Sequence, residues 1–64
     1  MKELIEELMQ RRMWARETAA SYREMGDKYG MAWFEGRVEG LTLAIAGLTN
    51  LSLEAHAFAS LAEL

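Results

Sequence analysis

Sixty-four residues with a formal net charge of −3 and no cysteine set narrow bounds. A chain this short buries only about 60% of the surface its unfolded form exposes, so small scaffolds usually need a staple. Disulfides and thiolate metal sites are excluded, and the negative balance argues against general affinity for phosphate backbones.

A single histidine would need several carboxylates to complete a structural zinc site. Association with another chain is therefore the expected staple. The acidic start "MKELIEELMQ" lacks the cationic and apolar regions of a signal peptide. The longest charge-free run, Gly40 to Leu53, is too short for a spanning helix, which needs about 20 residues. These features predict a cytoplasmic protein with no membrane association. Residues 1–39 hold all seven Lys and Arg and eight of the ten acids. From Gly40 onward only Glu54 and Glu63 are charged, so a neighbour must cover that segment.

Without proline or sustained β-type alternation, the expected class is all-α: an antiparallel hairpin in one domain over 1–64. The first helix is predicted over about 2–25, with Leu4, Leu8, Ala15, Ala19 and Tyr22 on one stripe. Glu7 and Arg11 form a favourable i,i+4 pair. Gly26 suits the left-handed residue that closes a helix, and Asp27 can N-cap the next. "GDKYG" therefore reads as the tight turn of the hairpin.

The second helix is predicted over about 28–48. Phe34, Val38, Leu41, Ile45 and Leu48 repeat like a coiled-coil seam. Folding at the turn puts Ala19 near Val38 and Ala15 near Thr42, so small residues face bulky ones. Gly47, Thr49, Asn50 and Ser52 are poor interior residues, which places a break near 49–51 and a third helix at about 52–63. The competing reading is one helix from 28 to 63.

"FEGRVEGLTLAIAGL" holds three glycines, each costing about 1 kcal/mol inside a helix. Gly36, Gly40, Ala44 and Gly47 share a side of the wheel away from the seam, with Trp33, Leu43 and Leu51. This helix has two apolar faces, and its first partner helix can satisfy one. The second face could be covered by the last helix folding back, with Leu53, Phe58 and Leu61, or by another copy. A third reading is that glycine makes room for Trp33 or Tyr29 within one chain. The expected arrangement is a homodimeric helix bundle joined through Gly36, Gly40, Leu43, Ala44, Gly47, Leu51 and Phe58.

Chemistry is sparse. Glu3-x-x-Glu6 and Glu24-x-x-Asp27 resemble, in spacing alone, the acidic pairs of all-α nucleotide pyrophosphohydrolases that hold Mg²⁺. Here both pairs fall on one predicted helix, about 30 Å apart, where they cannot face each other. Glu54 and His56 could be drawn as metal ligands near Glu3 and Glu6, but the Glu-x-x-His spacing of di-iron bundles is missing. Ser21, Ser52 and Ser60 have no evident base. No catalytic residue, metal or cofactor is expected.

"QRRMWAR" is the one basic stretch, and Arg12, Arg16 and Arg23 share a flank of the first helix opposite an acidic one. With Trp14, Met9 and Met13 nearby, that composition suits a protein-docking edge. The expected external contacts are Arg12, Trp14, Arg16 and Arg23. The functional expectation is a non-enzymatic regulator, inhibitor or assembly component that binds itself and another protein. In size and hairpin plan the chain is like small dimeric helical regulators of plasmids and phages, an analogy of architecture alone. The runner-up is a nucleic-acid-associated adaptor using the Arg flank; a metal-dependent helical enzyme is a weaker alternative.

Overall fold

The computed structural model describes the backbone of residues 1–62 and the side chains of residues 1–54 and 56. Helix α1 runs from Lys2 to Glu24 and helix α2 from Lys28 to Ala62. They pack against each other as an antiparallel hairpin.

The turn follows from two adjacent residues. Gly26 adopts φ +77°, the left-handed region where a Cβ is strained. Its N–H bonds to the Arg23 carbonyl (3.1 Å), and the Asp27 N–H reaches back to the Tyr22 carbonyl (2.9 Å). This pair of bonds is a Schellman motif closing α1. The Asp27 carboxylate then accepts the Gly30 N–H at 2.9 Å, capping α2 in the manner its side chain predicts. One helix ends and the next begins within three residues.

Between the helices lies the expected seam. Ala15 and Ala19 are buried at 0% and 6% exposure. Leu8 and Tyr22 of α1, and Phe34, Val38, Leu41, Ile45 and Leu48 of α2, are half-buried against one another's helices. Leu4, at the open end of the stripe, stays exposed. The Glu7–Arg11 pair forms at 2.8 Å along α1.

The expected break at 49–51 is absent, and the stretch assigned to a third helix up to Ala62 continues α2. Thr49, Asn50 and Ser52 each disfavour a helix by only tenths of a kcal/mol relative to good formers. No proline or left-handed glycine stands among them to remove a bond or reverse the chain. Helix propagation through weak formers therefore wins. Glu63, the expected end of the third helix, lies outside the described residues.

With 35 residues against 23, α2 is longer by about 18 Å at 1.5 Å per residue. Its last turns extend past the start of α1, and the molecule is a rod of 58 × 15 × 10 Å.

Candidate interaction surface

The two sides of the hairpin differ in chemistry. On one side α1 presents its arginines. Arg12 donates to the Thr42 hydroxyl (3.4 Å), and Arg23 pairs with Glu35 (3.2 Å) and touches the Met31 sulfur. Arg16 is exposed on the same flank. Two of the three arginines are thus turned across the seam onto α2.

The other side is aromatic. Phe34 is the hub: Tyr22 stacks on it at 5.5 Å, while Trp14 and Trp33 meet it edge-on at 5.6 Å and 4.8 Å. Arg37 lies over the Trp33 ring at 5.1 Å, a favourable cation–π geometry. Trp14 therefore does not sit among the arginines, as the grouping of Arg12, Trp14, Arg16 and Arg23 expected. It lies across the seam from them, because it follows Arg12 by two positions and a helix turns 200° over that distance.

Beyond Trp33 the aromatic side opens onto the second apolar face of α2. Trp33, Leu43 and Leu51 are 58%, 69% and 53% exposed. Gly36, Gly40 and Gly47 lie between them, and a Cβ on any of the three would meet nothing within 4 Å. Ala44 is exposed beside them. The face is a notch of small residues bordered by bulky ones. Phe58 and Leu61, expected to join or cover it, lie outside the described side chains.

Two of the three readings of these glycines do not fit the structure. A fold-back over them would require α2 to stop, and it runs on to Ala62. They also make no room for Trp33 or Tyr29 within the chain. The glycine that does make room is Gly30, where a Cβ would stand 2.6 Å from the Tyr22 ring. Its place four residues before Phe34 on the seam was the available signal.

Other sites are poor. Among the described residues no three His, Cys, Asp or Glu side chains cluster as metal ligands. Glu3 and Glu24 stand at opposite ends of α1. A depression of about 230 Å³ at the turn, lined by Arg23, Gly26, Asp27, Lys28 and Met31, is smaller than ligand pockets usually are. Among the described residues no helix is long and apolar enough to cross a membrane. Comparison of the chain with protein-family models, curated proteins and solved structures gives no significant match.

Proposed function

We propose that this chain is a non-enzymatic helical interaction module that self-associates through the second apolar face of α2. In that form it acts as a regulator, inhibitor or assembly component by binding another protein. One observation carries the reading: among the described residues no large side chain is fully buried. Two alanines make a seam but not a core.

Surface area gives the argument a scale. The chain exposes 5238 Å². A folded monomer of its 7.3 kDa mass exposes about 4,200 Å². The excess of about 1,000 Å² is close to the ~800 Å² that each partner buries in a standard interface. A second copy seated on Trp33, Leu43 and Leu51 would remove that excess. Each such side chain contributes about 1.5–3 kcal/mol when fully buried. The face also suits its own copy, since it carries both knobs and notches, as an isologous contact requires.

Thermal melting across a hundredfold range of protein concentration tests this. Folding linked to assembly raises Tm with concentration. A Tm independent of concentration, with a monomeric mass, would contradict the proposal.

A further inference from the structure

Two exposed apolar groups lie at opposite ends of α2. Near the turn are Met25, Tyr29 and Trp33, of which Tyr29 is 91% exposed. Toward the far end is Leu51, 53% exposed and, five full turns from Trp33, on the same side of the helix. Between them the exposed face is arranged almost symmetrically about the level of Thr42. Trp33 and Leu51 stand nine positions either side of it, Gly40 and Ala44 two positions, and Gly36 and Gly47 six and five.

We infer that two copies associate with their α2 helices antiparallel about a two-fold axis at the level of Thr42. This rests on the self-association proposed above and adds its orientation. In that order Trp33 of each copy meets Leu51 of the other, and the small residues meet at the centre, where the backbones approach most closely. The overhanging turns of each α2 then lie beside the other copy's turn end, and cover Tyr29 and Met25. A parallel order would leave the two overhangs side by side at one end and both turn-end groups at the other. It would also set indole against indole across the axis. Antiparallel α2 helices further oppose their dipoles, which is the favourable sense.

Within one chain Trp33 and Leu51 are 18 positions apart on a continuous helix, a separation of about 27 Å. Any short-range contact between them in solution therefore comes from two copies. The test uses the wild-type chain as an equal mixture of isotope-labelled and unlabelled protein, with its mass measured by light scattering at the same concentration. Filtered nuclear Overhauser spectra should show the Trp33 indole against Leu51 methyl groups of the other copy. A multimer in which Leu51 instead contacts Leu51 is parallel; that overturns the orientation and leaves self-association standing. A multimer with between-copy contacts only along the Arg12–Arg23 edge overturns the choice of face. A monomer overturns both the orientation and the reading beneath it.

Discussion

The Tyr22 ring lies directly over Gly30, closer than any side chain on residue 30 would allow: a Cβ there would meet ring Cγ at 2.8 Å and Cδ1 at 2.6 Å. These atoms are the near edge of the ring, and the same ring stacks on Phe34 at 5.5 Å. It cannot retreat without losing that contact. Gly30→Ala should therefore destabilise the hairpin by about 1–3 kcal/mol, the usual range for overpacking, despite the better helix propensity of alanine. Chemical denaturation checks it; an unchanged or raised midpoint would show that the ring moves freely.

The turn rests on Asp27 and Gly26. Asp27→Ala removes the bond to the Gly30 N–H and should cost about 1 kcal/mol. Gly26→Ala places a Cβ at φ +77° and should cost about 1–2 kcal/mol. Urea unfolding of both variants measures this, and Asp27→Asn, which keeps a capping oxygen, should recover most of the loss.

Continuity of α2 through residues 49–51 has its own test. Asn50→Ala exchanges a poor former for the best one and should raise helicity slightly, by a few tenths of a kcal/mol. Asn50→Pro would remove a helix bond and should cost about 3 kcal/mol or more. Circular dichroism reads both. If the chain broke there, proline would be nearly silent.

Much of this was legible in the residues, and the misses have physical causes. The hairpin, its seam and both halves of the turn follow from apolar spacing and from the stereochemistry of Gly26 and Asp27. The false break near Asn50 came from treating weak helix formers as stops, when cooperativity carries a helix through them. Gly30 was read as part of the turn because its crowding depends on where Tyr22 points, which spacing alone does not give. Trp14 was grouped with Arg12 by proximity in the chain, though the two project to different sides. The two-faced character of α2 was legible; that neither described helix covers its second face required the structure.

The arginine edge should matter little for stability. Arg23 and Glu35 pair at 3.2 Å with both side chains largely in water, and such pairs contribute about 0–1 kcal/mol. Arg23→Ala should shift the unfolding midpoint only slightly. With Arg12 and Arg23 turned onto α2, binding to a DNA or RNA oligonucleotide should also be weak. The adaptor reading requires the opposite: tight binding that falls steeply as salt rises. Fluorescence anisotropy over a salt series separates the two.

The central claim is that the exposed face of α2 seats a second copy, and Gly40→Leu addresses it most directly. In an isolated hairpin a Cβ at position 40 meets nothing within 4 Å, and replacing glycine in a helix favours folding by about 1 kcal/mol. At an interface the same leucine fills the notch that lets two helices approach. Light scattering and thermal melting of the wild type and Gly40→Leu should therefore show a multimeric wild type and a variant that loses mass, stability or both. A monomeric wild type, with a Gly40→Leu variant that is well folded and equally or more stable, would contradict the account.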